Sequence, residues 1–366
     1  MKTSSTKWIV EIRDTPEPFE REWRELVRAD NATPFQSFGW MSLLYRQIAV
    51  NKLAKPVVAL VRHADGRPAA LFPLLKQRRC GLTWLCSDAR PVDYCAPVFD
   101  PALRRGVVPE IIDAVLAAVP DANLLYCNKM PARFQGRANP MIELPITARL
   151  RFSAWVLRLK GRSPEELLAA QSEKHRDNIR RAARRLSKAH TVAFDIRFGD
   201  EITAADFETF LALRSESFHE KGRNDILDDP DWCGLYRSLV AGKTDDIKPW
   251  MARFTADGEI IAVLLGFAAG KHPVAIMPAS KTGPWKSYSP GLLLFQEVIS
   301  HFHEIGATVF DLSVGDMPYK RRFGCDEQPL YDALFPRGLA GRAFYAFWRL
   351  KTRLRERMKP IAAGTH

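Results

Sequence analysis

Residues that can carry acid–base and anion-binding chemistry cluster near position 318, in the segment GDMPYK. Asp316 can accept a proton, Tyr319 can donate one, and the ammonium group of Lys320 can bind a phosphate or stabilise a developing oxyanion. The segment follows an apolar strand ending in glycine, where α/β folds place ligand-contacting residues. The structural alternative is that Asp316 caps the short helix beginning at Pro318 and that Lys320 is solvated.

A second candidate site is the turn that opens the segment SPGLLLFQEVI. Ser289, Pro290 and Gly291 break a strand, and the residues after them follow a helical pattern. The start of a helix leaves backbone N–H groups free, and the helix dipole adds to their attraction for a phosphate. Glycine would let that phosphate approach closely. The predicted cofactor contacts are Lys286, Ser289, Gly291 and Leu292.

A basic helix is the third candidate. Arg176 and Arg180 lie one turn apart on one face, and arginine holds diphosphates bidentately. We therefore predict that Lys174, Arg176 and Arg180 contact the substrate, whereas Arg181 and Arg185 are interpreted as solvated. The alternative is a wholly solvated face whose cations complement the helix C-terminus.

Asp93 and Tyr94 form a fourth candidate group, in the proline-flanked segment VDYCAPVF. The carboxylate can act as a general base and the adjacent phenol can contact substrate. Aspartate in such a loop is more often a turn residue, so both interpretations stand. His219 is a further candidate base because histidine titrates near neutral pH, although a histidine at a helix end is usually structural.

The net charge of +12 over 366 residues is concentrated in two places. The segments 171–190 and 336–366 carry net charges of +5 and +7 and account for the whole excess. The rest of the chain is balanced, which argues against a general nucleic-acid surface, so we expect no DNA partner.

The six cysteines are dispersed, without a CxxC motif or neighbouring histidines. This pattern suits reduced thiols and predicts no metal site. No apolar stretch approaches the roughly 18 residues of a membrane span, and the N-terminus lacks the apolar region of a secretory signal. We expect a cytoplasmic protein.

The hydrophobic pattern predicts two α/β halves. Ser163 caps a helix predicted to run to about Lys188, IIAVLLGFAAG predicts a buried strand, and VVALVRH with its successor predicts a hairpin. Further helices are predicted near 206–221 and 230–240.

The order of these motifs resembles the CelD/BcsL-like, FemAB-related branch of the GNAT acyltransferases. KSYSPG is similar to the superfamily's acyl-CoA pyrophosphate loop. SEKHRDNIRRAARRL, SPGLLL and GDMPYKRRFG occur in the order expected of the branch. VDYCAPVF resembles the branch's Asp-Tyr-x-x-Pro element. The resemblance spans about residues 30–330.

The resemblance implies an α/β fold of tandem GNAT-like domains, each a mixed, mostly antiparallel sheet flanked by helices. The expected divisions are an N-terminal domain at 1–152, an acyltransferase domain at 153–335 and a basic C-terminal helix at 336–366.

The resemblance also implies transfer of an acyl group from acyl-CoA, with acetyl-CoA the first choice, to an amine or hydroxyl of a glycan or lipid-linked cell-envelope or exopolysaccharide precursor. In that reaction Lys320 would polarise the acyl carbonyl, Tyr319 would protonate the leaving thiolate and Asp316 would take a proton from the nucleophile. No cysteine falls in a motif and no Gly-x-Ser-x-Gly elbow is present, so attack is expected to be direct.

Two alternatives from other classes remain. FemAB relatives transfer aminoacyl groups from tRNA, which would require a more extended basic face. A non-catalytic regulator could use the arginines to bind a nucleotide such as a cyclic dinucleotide, although no motif is diagnostic of that ligand.

The C-terminal segment has an apolar stripe within a basic helix. Its members are Ala343, Phe347, Leu350, Leu354 and Met358. Such a helix is typical of binding to anionic lipid, which would place the protein at the inner face of the plasma membrane. The alternative is that the stripe packs on the second domain of the protein itself.

Overall fold

The computed structural model describes residues 7–28, 30–49, 54–87, 92–144, 147–220, 222–242 and 244–357. The strands are β1 (Trp8–Arg13), β2 (Lys55–His63), β3 (Pro68–Arg79), β4 (Leu82–Cys86), β5 (Val98–Phe99), β6 (Leu124–Pro131), β7 (Arg133–Phe134), β8 (Arg137–Ala138), β9 (Thr147–Arg158), β10 (Val192–Phe198), β11 (Lys248–Ala256), β12 (Glu259–Ala269), β13 (His272–Ser280), β14 (Val309–Val314) and β15 (Asp326–Pro336). The helices are α1 (Glu20–Leu26), α2 (Phe38–Ala49), α3 (Val108–Ala118), α4 (Pro164–Ala170), α5 (Glu173–Ala189), α6 (Ala204–His219), α7 (Pro230–Ala241), α8 (Pro290–Glu304), α9 (Pro318–Arg322) and α10 (Gly338–Arg357).

The chain divides into two compact units, each discontinuous in sequence. Unit 1 comprises Met1–Asn31, Ile48–Leu150 and Leu330–His366, and unit 2 comprises Ala32–Gln47 and Arg151–Pro329. The domain boundaries predicted from the sequence refer to segments that would fold independently. The division into two compact units does not test this, so the boundaries stay a prediction.

Unit 1 is built on a mostly antiparallel sheet. β1, β2, β3 and β4 pair antiparallel in that order, β6 adds in parallel to β4, and the end of β15 pairs antiparallel with β6. The apolar face of α3 covers this sheet: Ile111 and Val115 are fully buried in one cluster with Phe72 and Leu125. Their spacing on α3 is one helical turn, as an amphipathic helix on a sheet requires.

The last helix, α10, packs against unit 1. The ring of Phe344 contacts Trp84 edge to face, with centroids 5.0 Å apart. Among the described residues, the contact cluster comprises Trp84, Leu124, Leu334, Leu82, Tyr126, Phe344, Tyr345 and Trp348. Described members of the predicted stripe lie on another face, because Phe347 and Leu350 are 60% and 59% exposed.

The described part of the stripe is therefore not packed on the protein, contrary to the alternative drawn from the sequence. The side chain of Leu354 and all of Met358 lie outside the described residues. Within the described residues, no helix combines the length and apolar character needed to cross a bilayer.

Unit 2 has the strand order β9-β14-β13-β12-β11-β10. Its pairings are antiparallel apart from β13 and β14, which run parallel and register at Val274 and Asp311. The register of β12 with β13 shifts between Leu265 and Gly266, which leaves Ile276 as an extra residue in β13.

Helices cover both faces of the unit 2 sheet. On one face, Val298 and Phe302 of α8 are buried with Trp250. On the other face, Trp40 of α2 stacks on Phe267 at 4.8 Å. The predicted α/β class, with mostly antiparallel sheets flanked by helices, is confirmed.

One element differs from its prediction. The helix predicted from Pro164 to Lys188 is interrupted at Gln171 and Ser172, which have extended backbone. The Ser172 amide donates to the Arg322 carbonyl, and the Ser172 carbonyl accepts the first bonds of α5. The prediction of one helix was wrong because this tertiary bond replaces a helical one.

Candidate functional site

The turn before α8 has an unusual backbone. Ser289 is the N-cap of α8 and adopts the left-handed conformation, with φ 53° and ψ 49°. That conformation costs a residue with a side chain about 1 kcal/mol. Its carbonyl accepts the amides of both Leu292 and Leu293, at 3.0 and 3.2 Å. Within the part of the chain that the structure describes, the Gly291 amide donates to no protein group.

The start of α8 thus leaves one backbone amide free, that of Gly291, whereas the sequence predicted several. A Cβ on Gly291 would lie 3.6 Å from the Ser280 hydroxyl, an ordinary van der Waals distance. Packing therefore does not require glycine at 291.

Arg185 holds this turn from α5. Its guanidinium donates to the Ser287 carbonyl at 2.6 Å, and the side chain of Lys286 is exposed beside it. The interpretation of Arg185 as merely solvated was wrong. The sequence signal was weak, since residues 185 and 287 are distant in the chain, although the placement of Arg185 one turn after Arg181 on a basic helix was visible.

An aromatic group supports the same turn. His190 lies 5.0 Å from Trp285 and 5.6 Å from Tyr288, measured between ring centroids. Its Nδ1 is 2.7 Å from a carboxylate oxygen of Asp257. The turn is therefore braced by Arg185 of α5 and by His190, which Asp257 of the β11–β12 turn holds in place.

The predicted substrate contacts on α5 have different surroundings. The Arg176 guanidinium lies 3.0 to 3.3 Å from the carbonyls of Leu168, Ala169 and Gln171, where it caps the C-terminus of α4. Arg180 and Lys174 are exposed. Their proposed contact with substrate stays a prediction.

Asp316 has two donors close by, in place of the capping role considered for it. Its carboxylate accepts hydrogen bonds from the Trp155 indole N–H at 3.1 Å and the Ser153 amide at 3.3 Å. The N-cap position of α9 is Met317, with no side-chain cap. Ser153 also donates through its hydroxyl to Glu327 at 2.7 Å, so two carboxylates flank Ser153.

Glu327 is a carboxylate that the sequence did not single out. It lies beyond the GDMPYK segment in the sequence. Its link to Asp316 is Ser153, which forms hydrogen bonds with both carboxylates. Arg321 adds a cation, with its guanidinium carbon 5.0 Å from the Trp155 ring centroid.

Tyr319 belongs to α9, which follows β14, and its ring packs on α8. Its ring is 5.2 Å from that of Phe295, one turn after Gly291 on α8. Burial raises the pKa of the Tyr319 phenol well above its ordinary value. The phenol is therefore protonated at neutral pH.

Lys320 is buried, so the solvated alternative considered for it is wrong. Only 3% of its surface is exposed, and its ammonium group donates to the carbonyls of Ser313 and Val314, both at 3.0 Å. Ser313 has a positive φ of 60°, and its amide donates to Asp311 at 2.7 Å. Lys320 thus fixes an irregular strand end; its catalytic role stays a prediction.

Asp93 and Tyr94 belong to unit 1. Tyr94 is 1% exposed and Asp93 is half-buried, and Lys129 anchors the segment by donating to the Val92 carbonyl at 2.5 Å. Their predicted roles as base and substrate contact stay predictions. His219, in unit 2, bonds locally to Ser215 on its own helix. In the described part of the chain, no cluster of His, Cys, Asp and Glu could hold a metal ion.

Residues 173–321 match the family model of the acetyltransferase (GNAT) domain. This part of the chain is therefore similar to a GNAT acetyltransferase domain. It contains the basic helix α5, the turn before α8 and the GDMPYK segment. The prediction that the protein is a GNAT-type acyltransferase is confirmed; its donor and acceptor stay predictions.

Solved structures share the fold over most of their length. FemX is 11% identical with a TM-score of 0.59, over 92% of this chain and 99% of that one. L-PGS from Bacillus licheniformis is 12% identical with a TM-score of 0.54, over 95% and 98%. A tandem GNAT protein from the clavulanic acid biosynthesis pathway is 12% identical with a TM-score of 0.51, over 90% and 99%.

At these identities the likeness is one of fold, and the predicted tandem GNAT-like layout is confirmed. No curated protein sequence matches the chain significantly.

Proposed function

We propose that the protein transfers an acyl group from acyl-CoA to an amine or hydroxyl of a glycan or lipid-linked cell-envelope precursor, as its resemblance to the CelD/BcsL-like branch implies. The observation that carries the donor half of this proposal is the turn before α8. Its free Gly291 amide and the positive end of α8 favour a phosphate-bearing donor, and the exposed Lys286 of the same turn adds a cation.

The residues of unit 2 supply positioning and proton transfer. The donor brings an activated thioester. In this proposal Tyr319, whose ring packs on Phe295 of α8, donates a proton to the leaving sulfur. Asp316 and Glu327 are the carboxylates available to accept the proton of an attacking amine or hydroxyl. Acetyl-CoA is the first donor to test.

The acceptor half of the proposal draws on α10. This helix presents exposed Phe347 and Leu350 among basic residues, while other side chains of the same helix hold it to unit 1. An apolar stripe among cations suits the surface of an anionic membrane, where lipid-linked precursors reside. We propose peripheral association at the cytoplasmic face on this basis.

The test of the donor site is binding of acetyl-CoA, measured by calorimetry on the full chain. Gly291→Val adds a branched side chain next to the free amide, and its Cβ would meet no atom closer than 3.6 Å, so we expect the fold to survive and donor binding to be lost. Glu304→Val, at the exposed C-terminal end of the same helix, is the matched control and should bind normally. A folded Gly291→Val protein with unchanged affinity would sink the donor assignment.

Aminoacyl transfer from tRNA is the second candidate, favoured by the fold shared with FemX and by the FemAB resemblance of the sequence. Filter binding of charged tRNA, run beside the acyl-CoA titration, separates the two. Binding of charged tRNA without measurable acyl-CoA affinity would select the aminoacyl reaction. Stabilisation by a cyclic dinucleotide alone would select the regulator.

A further inference from the structure

An exposed arginine near the carboxylates of Asp316 and Glu327 has its hydrogen-bond donors free. The guanidinium carbon of Arg321 lies 5.0 Å from the centroid of the Trp155 ring, and the residue is exposed. Among the residues that the structure describes, its side chain has no hydrogen-bond or ion-pair partner. A cation–π contact supplies no oxygen acceptor, so the N–H donors of the guanidinium stay available.

Arg237, in the same unit, makes a similar ring contact but also has an acid. Its guanidinium carbon lies 5.2 Å from the centroid of the Phe207 ring, and the same guanidinium donates to the Glu208 carboxylate. The charge of Arg237 is thus neutralised within the protein. The ring contact of Arg321 fixes the position of its charge, and the missing acid leaves that charge for an anion from outside the chain.

The Trp155 side chain connects Arg321 with the candidate base. The indole N–H donates to the Asp316 carboxylate at 3.1 Å, and the guanidinium lies over the same ring system. Trp155 is only 3% exposed, so the packed indole is a firm support for both charged groups. An indole and a sugar ring with one substituent are similar in size, so one sugar-sized molecule can reach both groups.

We propose that the acceptor carries a phosphate or a carboxylate close to its nucleophile, and that Arg321 binds this anion. That the anion belongs to the acceptor rests on the proposed function. The guanidinium has paired N–H donors that match the oxygens of either anion. The carboxylates of Asp316 and Glu327 repel the anion, so it stays at Arg321 and the nucleophile faces the carboxylates. Arg321 thereby selects acidic acceptors over neutral ones.

Arg321 also covers Trp155, and two variants separate this cover from the charge. Arg321→Met keeps an unbranched side chain for the indole and removes the guanidinium, so the fold should survive. Arg321→Lys keeps the charge and loses the fork of N–H donors. Urea denaturation of each variant checks that it is folded.

The experiment titrates the full chain with glucosamine, glucosamine 6-phosphate and glucosaminuronic acid by calorimetry, without an acyl donor. The three sugars share the ring and the amine and differ at C6. We expect at least one acidic sugar to bind about tenfold more tightly than glucosamine, and the tighter one identifies the anion. Arg321→Met should abolish this preference, and Arg321→Lys should keep part of it.

The control is Arg237→Met, which removes a guanidinium that also lies over a ring and should leave the preference unchanged. Equal affinities for the three sugars would overturn the proposal, as would no binding at millimolar concentration or a preference that survives Arg321→Met. Because the sugar titrations contain no donor, their failure leaves the donor site standing. A failed acetyl-CoA titration likewise leaves the anion site standing.

Discussion

The ammonium group of Lys320 is held by two carbonyls inside unit 2, those of Ser313 and Val314. A buried carbonyl left without a donor costs about 1–3 kcal/mol. These two hydrogen bonds therefore give Lys320 a role in stability. That role can be measured separately from any role in catalysis.

We predict that Lys320→Met lowers the free energy of unfolding by about 2–3 kcal/mol, because both carbonyls lose their donor. Urea denaturation measures this change. Lys286→Met is the control: loss of this exposed lysine in the turn before α8 should leave stability unchanged and, if the proposed donor site is right, weaken donor binding. If Lys320→Met keeps wild-type stability and loses turnover, its ammonium group serves the reaction instead.

His175 gives a pH-dependent prediction. It is 2% exposed, its ring contacts Phe323 at 4.5 Å, and burial, with a smaller effect of Arg322, lowers its pKa in the folded state. The neutral form is therefore favoured on folding. This contribution to stability is fully present above the unfolded pKa of about 6.5 and is lost as the pH falls toward the folded value.

We expect the free energy of unfolding of the wild type to decrease as the pH falls through this window. In His175→Phe this decrease should be smaller. Urea denaturation above and below about pH 6.5 checks it. His219→Phe, which changes an exposed histidine, should keep the wild-type slope. The same slope in His175→Phe would assign the pH dependence to other groups.

At the residue scale, the sequence could single out the turn before α8 and the GDMPYK segment as candidates because their chemistry is local; their roles stay predictions. It did not reveal Arg185 or Glu327, because each acts through a partner that is distant in the chain. It also could not show that Lys320 is buried, since a lysine in a short polar segment has no periodicity that indicates its direction.

At the element scale, α4 and α5 are separate helices because of the bond from Ser172 to Arg322. Hydrophobic periodicity cannot detect such a break, since α4 and α5 both follow a helical pattern. The long elements were predicted well, because β12, α6 and α7 carry enough apolar residues to fix their period.

The junction of α4 and α5 yields a prediction about Arg176. Its guanidinium satisfies carbonyls at the C-terminus of α4, so Arg176→Met should destabilise the protein by about 1 kcal/mol. Arg180→Met, on the next turn of the same face, should have no effect on stability. Thermal unfolding of the two variants tests this, and equal stability would return Arg176 to the substrate-binding interpretation.

At the scale of the whole molecule, α10 has a packed face and an exposed face. Deleting residues 338–366 would uncover Trp84 and its neighbours, so a truncated protein cannot separate membrane binding from folding. Point changes on the exposed face can separate them.

We predict salt-sensitive binding of the full chain to vesicles of anionic lipid, since each nearby Lys or Arg contributes about 1 kcal/mol. Phe347→Glu with Leu350→Glu should abolish sedimentation with vesicles and leave stability unchanged. Ile9→Glu, at an exposed isoleucine of β1, should retain vesicle binding. A wild-type protein that stays in the supernatant at low salt would contradict the membrane assignment.

Unit 1 takes its strands from both ends of the chain, since residues 330–336 pair with β6. A ribosome adds roughly 5–20 residues per second, so this edge of β6 waits on the order of tens of seconds for its neighbour. During that interval its backbone N–H and C=O groups are open to pairing with another chain. Any message truncated before codon 330 would make that interval permanent, and its product would depend on chaperones or proteases to avoid aggregation.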